Sequence, residues 1–110
     1  MRFATVSDGR VTASWSPTGD WEDIQGVLAG GIIWMLLDEA LSKAVVARDW
    51  RALTCELRVR YKRRIGAGEQ LRLEGWAVQR RKRRIVTEAS LLAEDGVERA
   101  HAWGTFLAVD

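Results

Sequence analysis

Apolar and polar residues alternate most clearly from Leu53 to Lys62. Leu53, Cys55, Leu57, Val59 and Tyr61 are interleaved with Thr54, Glu56, Arg58, Arg60 and Lys62. Side chains on a strand repeat every two residues, so this pattern predicts a long strand with one apolar and one polar face, Cys55 among its core residues. Val11, Ala13 and Trp15 predict a shorter strand over 10–15, and residues 16–26 read as an acidic loop. After Gly30-Gly31 the period changes. Residues 32–47 are rich in Leu, Met and Ala and apolar almost all round, which predicts a helix buried on most sides. Beyond the long strand, Ile65 to Gly68 read as a turn and 69–79 as a strand with Leu71, Leu73, Gly75 and Ala77 on one face. Arg80 to Arg84 read as the next turn. Ile85, Thr87, Ala89 and Leu91 mark another strand, and Glu94-Asp95-Gly96 a hairpin. A final strand over 97–109 has a small inner face of Ala100, Ala102, Gly104, Phe106 and Ala108. That face leaves room for something bulky, and the economical packing is the helix against one antiparallel sheet.

Composition narrows the class. A chain of 110 residues with 47% hydrophobic residues supports one core, hence a single domain over 1–110. One cysteine excludes a disulfide scaffold and suits a reducing compartment. Met1-Arg2-Phe3-Ala4 is followed by polar residues, so no signal peptide is expected, and the apolar run Val27 to Leu37 is too short for a bilayer span. A cytoplasmic protein with no membrane partner is the expectation.

Charge changes the picture further. Residues 1–57 carry 5 basic and 8 acidic side chains, and residues 58–110 carry 12 and 7. Two clusters hold ten of the 17 cations: Arg58, Arg60, Lys62, Arg63 and Arg64, and the run Arg80-Arg81-Lys82-Arg83-Arg84. Such clusters are either solvated or meet phosphates, on a nucleic acid or on a phosphorylated cofactor. Aromatic residues do not interleave with the second cluster, so a nucleic acid is not the expected partner. No Cys/His cluster offers a metal site.

The order of short strand, loop, Gly-Gly, buried helix with an Asp, and four long strands resembles the hotdog fold. It is similar in particular to the acyl-CoA thioesterases of the phenylacetate-pathway and 4-hydroxybenzoyl-CoA type. The resemblance is carried by Gln25-Gly26-Val27-Leu28-Ala29-Gly30-Gly31 with Leu36-Leu37-Asp38-Glu39-Ala40, then by Leu53 to Tyr61, Gly68-Glu69, Asp95-Gly96 and Gly104-Thr105-Phe106. It implies an α+β fold, one long central helix wrapped by a five-stranded antiparallel sheet. It also implies roles. The Gly30 amide, with Gly31 beside it, polarises a thioester carbonyl. Asp38 is general base or nucleophile, and Thr54 is a hydroxyl near it. Lys62, Arg63, Arg64 and Arg80 through Arg84 hold the phosphates of CoA. CoA enters as part of the substrate and no other cofactor is implied.

Helix geometry adds a constraint. Gly30 and Asp38 are eight residues apart, so about 12 Å along one helix. A reacting carbon must lie within about 3–3.5 Å of its partners. One helix cannot supply both groups to it, whereas two antiparallel copies can. The expectation is a homodimer with two composite sites, open to pairing into a dimer of dimers; the resemblance implies that the two sheets join through the strand at 52–63.

The chain departs from the family at three places. Ala29 and Asp23 stand where the family often has His and Asn, with Gln25 a substitute for the latter. Trp34 stands where a small residue is usual, one turn before Asp38, where it shortens the acyl pocket, walls it or fills it, or is a core tryptophan. The other readings are a non-catalytic hotdog module that binds acyl-CoA, with Asp38 an ordinary polar residue, and a small nucleic-acid-binding protein. His101, the only histidine, falls opposite the small inner face with Arg99, Trp103 and Thr105, at the surface or an interface. A hotdog dehydratase would need a histidine on the helix.

Overall fold

A computed structural model describes residues 2–16, 30–66 and 69–109. Its elements in chain order are β1 (Ala4–Ser7), β2 (Arg10–Trp15), α1 (Gly30–Val46), β3 (Ala52–Tyr61), β4 (Leu71–Arg81), β5 (Arg84–Ala93) and β6 (Glu98–Ala108). All strand pairs are antiparallel, in the order β1-β2-β4-β5-β6-β3. One helix on one antiparallel sheet is the hotdog arrangement. The sheet has six strands rather than the five expected. The extra strand, β1, is four residues long and wholly exposed, too short for its alternation to stand out. Asp8-Gly9 turns it into β2, with Gly9 at φ +74°.

The helix lies in the hollow that the small residues leave. Ile33, Leu36, Leu37, Ala40, Leu41, Ala44 and Val45 are buried, one stripe at three- and four-residue spacing. They meet Leu73, Ala89, Leu91, Ala100, Ala102 and Phe106 in one core. The seat is closest at Gly75, where an added Cβ would lie 2.5 Å from the Ala40 carbonyl oxygen. The helix is not buried on most sides, as its composition suggested. Trp34 is 43% and Met35 56% exposed, so its outer apolar residues are uncovered in a single chain.

In three of the strands expected from the sequence, one extra residue breaks the strict period of two. Pairing skips Cys55 in β3, Val78 in β4 and Arg99 in β6. Each is a bulge, which reverses the faces of the residues beyond it. Leu53 therefore pairs with outward Leu107, and Thr54 with inward Phe106. Cys55 is exposed, not a core residue. Arg99 leaves the outer face on which alternation placed it. The strand expected at 69–79 runs to Arg81, and the turn expected over Arg80 to Arg84 shrinks to Lys82 and Arg83. Lys82 takes φ +56°, as a two-residue hairpin turn requires.

The contact at Gly75 sets a stability test. Gly75→Ala forces the helix off its seat and is expected to cost about 1–3 kcal/mol. Urea unfolding measures it, and wild-type stability in this variant would show that the helix is not held there.

Candidate active site

The helix begins at Gly30, and the first N–H groups of a helix have no partner within it. Its first turn carries no acidic residue, so the positive end of its dipole is not neutralised from within. The Gly30 carbonyl accepts a hydrogen bond from the Tyr61 hydroxyl at 3.0 Å, which ties the helix start to the end of β3. Nothing lies within 4 Å of a Cβ built on Gly31. Gly30, Ile33, Tyr61, Lys62, Arg63, Arg64 and Ile65 line an open cleft of about 290 Å³. Gly30 and the basic segment Lys62 to Arg64 therefore line one cleft.

Asp38 is half-buried one turn beyond Trp34. Burial pushes its carboxyl above the ordinary range, and the neighbouring Glu39 charge pushes it the same way. At 100° per residue, Gly31, Trp34, Asp38 and Ser42 fall within a sector of about 80° on one flank of α1. Ser42 on that flank and Thr54 on β3 line a second cleft of about 340 Å³ together with Phe106. The bulge at Cys55 is what turns Thr54 to the helix side; regular alternation would have put Leu53 there. Among the described residues no hydrogen bond joins Asp38 to Thr54.

The flank looks toward an open sheet edge. β3 pairs with β6 on one side only, and its residues are exposed or half-buried throughout. Ten residues of unpaired edge beside an uncovered tryptophan are a template for another strand and helix.

The two basic clusters lie at opposite ends of the sheet. The Lys62 and Arg63 amides donate to the Arg99 carbonyl at the start of β6. The Arg83 carbonyl accepts from the Ala108 amide at its end. Nine residues of strand separate them, about 30 Å. One chain does not bring both to one ligand. Several cations are also engaged. Lys62 is paired with Glu98. Arg80, turned inward by the bulge at Val78, stacks on Trp50 at 5.1 Å, with Arg48 on the same ring at 4.6 Å. The Arg83 side chain donates to the Ala108 carbonyl at 3.0 Å. Arg63 and Arg64 are exposed beside Gly30, and Arg81, Lys82 and Arg84 are exposed at the far hairpin.

His101 lies on the outer face. Its Nδ1 is 2.6 Å from Glu98 and its Nε2 2.8 Å from Glu88. Trp76 and Trp103 flank the ring. Burial alone would raise the Glu98 carboxyl, but hydrogen bonds from Lys62, Ser90 and His101 outweigh it and bring it down to about 2. Glu98 thus links the outer face to the basic segment. Alternation did not reveal this, because the bulge at Arg99 is what sends Glu98 outward. Tyr61 was legible only as an apolar strand position; an aromatic with a polar tip at a strand end was its one signal. Asp23 and Gln25 lie outside the described residues, as does Ala29. Among the described residues no group of His, Cys, Asp and Glu forms a metal site, and no helix is long and apolar enough to cross a membrane.

Comparisons with known proteins agree with this fold. Residues 25–100 match the sequence model of the thioesterase superfamily. No functionally curated protein matches the chain in sequence. Among solved structures, smu.793 from Streptococcus mutans, bound to acetyl CoA, superposes with a TM-score of 0.91 at 21% identity, over 99% of this chain and 90% of that one. A hypothetical thioesterase from Streptococcus pneumoniae with coenzyme A gives 0.93 at 17% identity, over 98% and 84%. A variant of the phenylacetic acid degradation protein PaaI from Thermus thermophilus gives 0.88 at 24%, over 96% and 90%.

The lowered Glu98 carboxyl carries a sign. Its contribution to stability is present above the unfolded value of 4.5 and is lost as pH falls through about 2. Glu98→Gln is expected to cost about 1–2 kcal/mol at pH 7 after allowance for solvent screening. The cost should shrink toward pH 2 in denaturant titrations, and equal stability at pH 7 would show that the Lys62 and His101 contacts contribute nothing.

Proposed function

The chain belongs to the thioesterase superfamily, and from that premise we propose that it hydrolyses an acyl-CoA thioester, or the same thioester on an acyl-carrier protein, at a site shared by two copies. The observation that carries this is the flank of α1. It holds a partly desolvated carboxylate and, about 12 Å away, a helix start whose first amides have no partner within the helix, both near an uncovered sheet edge. In a homodimer joined edge to edge through β3, the antiparallel helices bring Asp38 of one chain level with the partner's Gly30.

The chemistry follows from those two groups. The Gly30 amide donates to the thioester carbonyl oxygen and holds the negative charge that develops there. Asp38 takes a proton from water as the water oxygen attacks the carbonyl carbon. The C–S bond then breaks, the thiolate leaves and takes up a proton, and the carboxylic acid is released. In the variant route Asp38 itself attacks and water hydrolyses the resulting anhydride. A raised carboxyl is a stronger base once ionised, and Thr54 places a hydroxyl near the attacking water. Two Streptococcus pneumoniae thioesterase structures carry Ala in place of an Asp and a Thr that stand sixteen residues apart. Asp38 and Thr54 have the same separation.

Arg63 and Arg64 meet the phosphates of CoA from one chain, and the hairpin with Arg81, Lys82 and Arg84 from the other. The antiparallel pairing supplies the second cluster that a single chain holds about 30 Å away. Two neighbours hold acetyl CoA and coenzyme A, which supports this ligand.

The test is hydrolysis of a panel of acyl-CoAs by wild type and Asp38→Asn. Wild type is expected to be active and the variant at least about 100-fold slower in kcat. The acid limb of the wild-type pH profile should lie above the ordinary aspartate value of 3.8. Binding of acyl-CoA without hydrolysis would make the protein a non-catalytic module, and equal activity in the variant would remove Asp38 from the mechanism.

A further inference from the structure

We propose that Trp34 meets its own copy on the two-fold axis and closes the acyl end of both sites, which restricts the substrate to short acyl groups. This rests on the shared-site reading above. Gly30 must stand level with the partner's Asp38 for one carbonyl to reach both. In two antiparallel helices, residue 30 beside residue 38 makes residue 34 the midpoint, so each Trp34 faces the other. The flank is the correct one, since Trp34 shares its sector with Gly31, Asp38 and Ser42. The indole is 43% exposed in the single chain, a large apolar group left without cover. The space next to Gly31 is empty as well.

The same geometry gives the depth of the pocket. Arg63 and Arg64 share a cleft with Gly30, so the nucleotide end of the ligand lies beyond the helix start. The carbonyl stands at Gly30, and the acyl chain therefore runs on toward residue 34 and the axis. Four residues of helix rise about 6 Å; less a carbon–carbon contact of about 4 Å with the indole, about 2 Å remain, room for about two carbons beyond the carbonyl. Each further methylene would meet the indole face, and a misfit of one methylene costs at least about tenfold in kcat/KM. The two sites also share this wall, so an acyl group in one touches the side chain that bounds the other.

Two experiments test it. Wild type and Trp34→Ala are compared over straight-chain acyl-CoAs from acetyl to dodecanoyl. Wild type is expected to prefer acyl groups of about three carbons or fewer and to lose at least about tenfold in kcat/KM by octanoyl. The variant should move the optimum to longer chains, chiefly by lowering their KM. An unchanged length profile overturns the wall. Separately, Trp34→Cys in a Cys55→Ser background should link to its twin on oxidation or with a short bis-maleimide, and Met35→Cys in the same background should not. A dimer by sedimentation that fails to link through residue 34 overturns the axis placement, and it does so even if Trp34→Ala does not fold. If wild type hydrolyses nothing, the hydrolase reading falls, the length limit is read as acyl-CoA binding instead, and the cross-link still decides the axis. A monomer by sedimentation removes both.

Discussion

The seat of α1 on Gly75 is the constraint from which the rest follows. The Ala40 carbonyl comes so near that strand that a methyl group would not fit between them. Small residues at Ala100, Ala102 and Gly104 extend the same hollow across β6. A helix pressed this close to a sheet cannot slide along it or roll on it without losing its packing. Gly30 and Asp38 are therefore held at a fixed spacing and on a fixed flank. The tie from Tyr61 to the Gly30 carbonyl locks the helix start to β3. What remains uncovered, the flank and the edge, is where the proposed second chain would dock.

The sheet gains its specific chemistry from its irregularities. Three bulges each put one extra residue into a strand and reverse the faces beyond it. At Cys55 the reversal brings Thr54 to the helix side. At Val78 it folds Arg80 inward onto Trp50, which converts a cation of the basic run into packing. At Arg99 it sends Glu98 outward to His101 and Lys62. The Arg99 carbonyl meanwhile receives the amides of Lys62 and Arg63 and so fixes where the basic segment leaves the sheet.

Much of this was legible in the chain. The small inner face of β6 announced a helix seat, and the Asp38 to Gly30 spacing is the ground on which two copies are proposed. Period-two alternation located β3 to β6 within a few residues. It failed where an extra residue entered, because a bulge has no composition of its own: Cys55, Val78 and Arg99 each fit the alternation as written. β1 was missed because four exposed residues carry no apolar face. The apolar helix misled in the other direction. Its outer residues are apolar, yet uncovered in one chain, because composition does not say whether burial comes from within a chain or from its twin. The charge runs showed where cations cluster and not which are engaged; the Glu98 and Trp50 contacts depend on faces that the bulges had changed.

The central claim is that each site takes its acid from one chain and its amide from the other, and mixed dimers test it most directly. Asp38→Asn removes the carboxylate. Gly30→Pro removes the amide hydrogen at the first helical position, where proline is tolerated. Each variant alone should be inactive. Unfolded together and refolded, half of the dimers would be mixed, and each would hold one intact site of two. About a quarter of wild-type activity should then return. Activity no greater than that of the separate variants, in a preparation shown to contain mixed dimers, would mean that no site is shared.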